Sequence, residues 1–397
     1  MTTEPDLLHP AARQDPYPTY AALRDRAPVQ WCARLGMWVV TRYADVDLVV
    51  ADTRRFSVDR FRDRADRAGA AAIAAILRAW AVYRDPPDHT RLRSLLGQSF
   101  TPRRLHGMRP VVQRIVDELV DDGLRHGELE FVSAFAFPLP ATVIATMLGA
   151  PVRDIGRIKV WSNRIADFIG GARSGADAEH AAGGLLEACD YFRTLVRARR
   201  ASPADDVISQ LLAAQDRGQS LTEDEVVANC VLLLFAGHET TTNLLANGLF
   251  HLLRDPRQEA ALRARPDLVP SAVEELLRFD APVAGTLRIA REPVSLGDRE
   301  IAAGAVVAAM LASANRDPRR FDRADELDLR RSPNRHLSLG YGTHFCLGAG
   351  LARLEAQVAF ETLLRRWRRV TALDQTPRWK AQVFFRELER LPLRVES

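Results

Sequence analysis

Leu339-Gly340-Tyr341-Gly342-Thr343-His344-Phe345-Cys346-Leu347-Gly348 is a glycine-studded loop that delivers one cysteine to the start of a helix. Beyond it Leu351, Leu354, Val358, Leu363 and Leu364 recur at helical spacing. Cys346 is therefore expected at a helix N-terminus, where unpaired N–H groups and the positive end of the dipole favour a thiolate. Gly340, Gly342 and Gly348 withdraw side chains, so backbone can approach something large and flat while N–H groups point at the sulfur. Two readings fit these residues alone: a metal-ligating thiolate, and a buried structural cysteine in a turn.

Working outward, 397 residues can bury a large core, and length by itself permits two or three domains. Hydrophobic content of 47% and charged content of 27% are those of a soluble globular protein. Basic residues are nearly all arginine, lysine standing only at Lys159 and Lys380. A net charge of +4, scattered along the chain, argues against nucleic acid as a partner. Cys32, Cys189, Cys230 and Cys346 form no CxxC pair, which argues against a zinc site or a disulfide framework. The first residues, Met1 to Asp6, contain no apolar export core. No run approaches the roughly 20 apolar residues of a membrane span. The expectation is a cytoplasmic monomer with no membrane partner.

A short helix is expected over Thr19 to Arg26, then a hairpin of Val29-Gln30-Trp31 and Met37-Trp38-Val39-Val40. From about Thr101 to Ala264 the pattern is helical, with segments at Met108 to Leu124, Asp205 to Ala214 and the apolar Val226 to Leu253. Strands are expected at Val294 to Leu296, at Ile301, over Val306 to Leu311, at Gln382 to Phe385 and at Leu391 to Leu393. The fold class is mainly α with small β-sheets (α+β).

Within the apolar helix lies Ala236-Gly237-His238-Glu239-Thr240-Thr241. Glycine, an acid and hydroxyls are unfavourable in mid-helix, and such local conflict marks either a functional site or a polar stripe. Glu239 and Thr240 are adjacent and face different ways unless a widened turn holds water between them. Glu275 and Arg278 are three residues apart, on one helix face. His89 and Arg93 are one turn apart, after Asp85-Pro86-Pro87-Asp88.

The cysteine loop resembles the haem-binding signature of the cytochrome P-450 family, Phe-Gly-x-Gly-x-His-x-Cys-x-Gly. Each fixed position matches except the first, where Leu339 stands for phenylalanine, a position that bears on how the thiolate is shielded. Ala236, Gly237, Glu239 and Thr240 match the family's oxygen-activating motif, and Glu275 and Arg278 its Glu-x-x-Arg element. The resemblance covers nearly the whole chain. It implies one haem-thiolate domain over residues 1–397, with haem b between the central long helix and the cysteine loop. Cys346 would be the metal ligand, and His89, Arg93, Arg288 and His344 would hold the haem propionates. Glu239 and Thr240 would be catalytic, ordering water and delivering protons. Glu275 and Arg278 would be a structural pair.

The implied reaction is insertion of one oxygen atom from O2 into a small or medium apolar organic molecule. The chain shows no phosphate loop and no iron–sulfur cysteines, so electrons would come from NAD(P)H through a separate ferredoxin reductase and ferredoxin. Arg91, Arg103, Arg104 and Arg353 would offer the docking face. Family architecture suggests a substrate pocket at Phe168, Leu233, Leu234, Gly237, Val283, Ala284 and Phe384, and Arg60, Arg62 and Arg64 could receive a carboxylate. A haem-thiolate peroxygenase, an isomerase or a non-catalytic family member would share these motifs. A cysteine–histidine nucleophilic enzyme using Cys346 and His344 would not require them.

Overall fold

The computed structural model describes residues 6–61, 70–170, 175–216, 218–374 and 376–397. Its central element is the helix Glu223–Arg254. Thr222 caps it: its hydroxyl accepts the Glu225 N–H at 3.2 Å, and the Glu225 carboxylate accepts the Thr222 N–H at 2.9 Å. Glu223, Asp224 and Glu225 set negative charge against the positive end of the dipole. Helices Pro138–Leu148, Gly175–Ala201, Val269–Phe279 and Ala349–Arg366 pack around it. This explains why it is apolar on nearly every side.

The larger sheet has five strands in the order Val29–Cys32, Met37–Val40, Val306–Ala309, Thr286–Ala290 and Phe56–Ser57. The first pair is the hairpin foreseen in the sequence, with Trp31 opposite Trp38. Its second strand runs parallel to Val306–Ala309, which pairs antiparallel with Thr286–Ala290 and sets Val307 opposite Arg288. A smaller sheet joins Arg369–Ala372, Pro392–Glu396 and Glu128–Glu130.

Several boundaries differ from the sequence reading. Helix Val207–Ala213 begins two residues later than the expected Asp205 start, after Asp206, whose carboxylate caps it by accepting the Ser209 N–H at 2.8 Å. The last expected strand is shifted to Pro392–Glu396. Residues 382–385 form no strand; Phe385 makes one isolated bridge to Val283, because the segment turns in against residues 282–284.

The helix Val269–Phe279 carries the expected pair. Arg278 donates to both Glu275 oxygens at 2.8 Å, and neither side chain reaches solvent. Arg331 and Asn334 also donate to Glu275, while Arg278 donates to the carbonyls of Asn315, Ala324 and Glu326. Every charge in this knot has a partner, and the segment before the cysteine loop is tied to the helix by it. The Ser338 hydroxyl extends the tie, donating to the Leu277 carbonyl at 2.6 Å.

Candidate functional site

The cysteine loop is closed by its own backbone. The Cys346 N–H donates to the Leu339 carbonyl at 2.8 Å, and the Phe345 N–H to Gly342 at 3.1 Å. Gly340 and Gly342 have φ of +71° and +65°, and a Cβ on Gly340 would meet the His344 carbonyl oxygen at 3.2 Å. Leu339, in the phenylalanine position, packs at the edge of the main core. Helix Ala349–Arg366 starts just beyond Cys346, capped by Gly348, whose N–H donates to the Cys346 sulfur. Burial raises the thiol above its usual pKa, while that N–H, Arg93 and Arg353 pull it down.

Four basic side chains from three elements converge beside the loop. His89 and Arg93 come from helix Asp88–Gly97, Arg288 from the larger sheet and His344 from the loop. The His89 and His344 rings lie 4.1 Å apart. His89 Nδ1 and His344 Nε2 are buried without a hydrogen-bond partner among the described residues. Arg288, 5% exposed, donates, among the described residues, only to the Thr286 hydroxyl and the Leu287 carbonyl. Asp85, the acid that acts on Arg288, is already held by Arg291, Ser57 and the Val58 N–H. Among the described residues no carboxylate forms an ion pair with any of the four. Burial lowers Arg288 to about 10. Burial, then repulsion from His89, Arg288 and Arg93, lowers His344 to about 3. Such a cluster fits a ligand bearing two carboxylates, and the adjacent sulfur fits a metal at that ligand's centre.

The central helix supplies the other wall. Between Val226 and Phe250 only Leu232, Ala236, Gly237 and Thr240 are not buried. Leu232, Ala236 and Thr240 follow one another at i, i+4 and i+8, a single open stripe. The helix is continuous there, without a widened turn. The Thr240 hydroxyl donates to the Ala236 carbonyl at 3.2 Å. Glu239 points about 100° away and is 8% exposed, its carboxylate 3.7 Å from His238 Nε2. His238 Nδ1 meets the Leu234 carbonyl at 2.6 Å, and burial lowers its pKa to about 4. Gly237 lets helix Pro138–Leu148 approach, since a Cβ there would lie 2.9 Å from the Ile144 side chain.

The expected substrate residues divide. Leu233 and Leu234 belong to the main core, and the sequence missed Leu232 as the open position one residue earlier. Val283 and Phe384 are half-buried and Ala284 is buried; the two segments are joined by the Ala284 N–H donating to the Phe384 carbonyl at 2.9 Å. The Phe168 side chain, Arg62 and Arg64 lie outside the described residues.

The expected docking arginines are largely engaged. Arg353 forks onto Glu274 at 2.7 and 2.8 Å, and against burial, which raises it, Arg353 and His336 hold Glu274 down to about 2. Arg91 pairs with Glu225, and Arg104 lies 3.8 Å from Asp205.

Comparison with known proteins gives one answer. The family described as Cytochrome P450 matches residues 190–385. The chain is 40% identical to Cytochrome P450 107B1 of Saccharopolyspora erythraea over 99% of each chain. It is likewise 40% identical to the cytochrome P450 monooxygenase PikC of Streptomyces venezuelae, over 96% of this chain and 91% of that one. The crystal structure of P450BioI in complex with hexadec-9Z-enoic acid ligated acyl carrier protein superposes with a TM-score of 0.93 at 36% identity, covering 97% of this chain and 99% of that one.

Proposed function

The chain belongs to the cytochrome P450 family, and from that premise we propose that Cys346 would ligate the iron of its haem and that His89, Arg93, Arg288 and His344 would bind the haem propionates. It is a haem-thiolate monooxygenase. The observation that carries the residue assignment is the quartet of basic side chains beside the cysteine sulfur, His89 and Arg288 buried and Arg93 and His344 half-buried, without an acid of their own among the described residues.

When bound, haem supplies the O2-activating iron, and a thiolate ligand promotes O–O cleavage. The chain's own residues set the conditions. The Gly348 N–H and Arg93 stabilise negative charge on the sulfur, against the burial that disfavours it. Arg288 presents a planar fork, suited to a carboxylate. Thr240 gives its proton to the Ala236 carbonyl, which leaves its lone pairs facing the open stripe to accept a hydrogen bond. Glu239, buried beside the neutral His238, is the acid from which protons reach that stripe. Leu232, Ala236 and Gly237 with Val283, Ala284 and Phe384 would bound a chamber for a small or medium apolar organic molecule.

In this reading the haem is of the b type, in one domain spanning residues 1–397 of a cytoplasmic monomer. Electrons pass from NAD(P)H through ferredoxin reductase and ferredoxin. Arg103 and Arg104, exposed at the start of helix Pro102–His126, support a docking face better than Arg91 and Arg353, whose charges are spent on Glu225 and Glu274. No described helix is long and apolar enough to cross a membrane.

The test is the absorption spectrum of the reduced protein with CO. The native chain should show the red-shifted band of haem–thiolate, and Cys346→His should lose it. An unchanged band in the variant would remove Cys346 from this role.

A further inference from the structure

Arg60 lies just past the strand Phe56–Ser57 and is not needed by the assignments above. Its guanidinium is held in an aromatic corner, 5.1 Å from the centre of the Phe61 ring and 4.6 Å from that of Tyr83. One nitrogen, Nη2, donates to the Tyr83 hydroxyl at 2.7 Å. Another, Nε, is buried with no hydrogen-bond partner among the described residues. Asp85 is bound to Arg291, Ser57 and Val58, and among the described residues no carboxylate forms an ion pair with Arg60.

The corner is coupled to the candidate site. Tyr83 stacks on Trp80 with ring centres 5.9 Å apart and planes within 11°. The backbone beside Trp80 is pinned to the central helix by Asn229, which accepts the Ala81 N–H at 3.1 Å and donates to the Ala79 carbonyl at 2.8 Å. Asn229 precedes Ala236 by seven residues and Thr240 by eleven, so all three share one helix face. Along the axis Asn229 and Thr240 are about 16 Å apart.

We infer that Arg60, oriented by Tyr83, binds the carboxylate of an acidic substrate whose apolar chain runs along the open stripe toward Thr240. The inference rests on the monooxygenase reading and names the substrate class: an amphiphilic organic acid with its oxidised carbon well removed from the acid group. A guanidinium with apolar walls on two sides and a fixed plane is preorganised for carboxylate, and weak hydration makes the exchange from water less costly. A haem propionate carries the same chemistry, since Arg60 also acts electrostatically on Arg288.

The experiment uses the haem-loaded protein and a series of straight-chain carboxylic acids with their methyl esters, titrated by the spin-state shift. At least one acid should bind about tenfold or more tightly than its ester. Arg60→Gln should abolish that preference with haem content and CO band intact, and Arg60→Lys should retain part of it. If no acid outcompetes its ester in the native protein, or if Arg60→Gln keeps the preference, the inference falls. If Arg60→Gln instead loses haem while the remaining loaded protein still prefers acids, Arg60 serves a propionate and the inference also falls. Loss of the haem–thiolate band in the native protein would count against the monooxygenase reading alone.

Discussion

Arg278 and Arg288 stand ten residues apart and both are buried, at 0% and 5% exposure, yet they are treated in opposite ways. Arg278 forks onto Glu275 and fills its remaining donors with three backbone carbonyls. Arg288 has one hydroxyl and one carbonyl, and its charged neighbours are Asp85, which attracts it but is bound to Arg291, and Arg60, which repels it. An unpaired buried cation is costly, so a fold keeps one only where another molecule brings the opposite charge. The first arginine holds the protein together. The second is held by the protein for something else.

The strongest way to break this contrast is to open the closed cluster. Glu275→Ala leaves Arg278 and Arg331 buried without their acid, and should destabilise the apoprotein by about 3–5 kcal/mol. Chemical denaturation would read this, and native stability in the variant would mean the knot is not what holds the cysteine segment.

Next is the open cluster. Arg288→Gln should weaken haem binding about 10–100-fold while the apoprotein's denaturation midpoint stays level or rises, because a buried charge is removed. Haem transfer to a competing apoprotein measures the affinity. A fall in apoprotein stability as large as that of Glu275→Ala would erase the distinction between the two arginines.

His238 sharpens the contrast by a third route, since burial keeps this base neutral even with the Glu239 carboxylate 3.7 Å from its Nε2. Unfolded, it takes up a proton below about pH 6.5; folded, burial delays this to about 4. Stability from this residue is therefore full above pH 6.5 and is lost as pH falls toward 4, by at most about 1.4 kcal/mol per pH unit. His238→Phe should flatten the denaturation midpoint in that window. An unchanged slope would show that His238 is not what titrates there.

Much of the site could be read from residues near one another in sequence. The Cys346 loop, the conflict at Ala236 to Thr241 and the Glu275–Arg278 spacing are local patterns, and each lies where its pattern put it. The partners could not be read. Arg331 and Asn334 reach Glu275 from more than fifty residues away, and Arg91 and Arg353, half-buried, are paired with Glu225 and Glu274. Leu232 was passed over for Leu233 and Leu234 because an apolar helix reads alike all round, and only its neighbours decide which stripe stays open.

By itself the sequence determined the family, the mainly helical class and the positions of the cysteine, acid and hydroxyl, since motif and periodicity depend on short spacings. The tertiary structure decided which charges are cancelled and which remain. It turned Glu239 aside from Thr240 and toward His238, brought His89 within 4.1 Å of His344, and placed Arg60 against Tyr83. Pairing and burial depend on distance through space, and chain order does not fix that distance until the helices and sheets have packed.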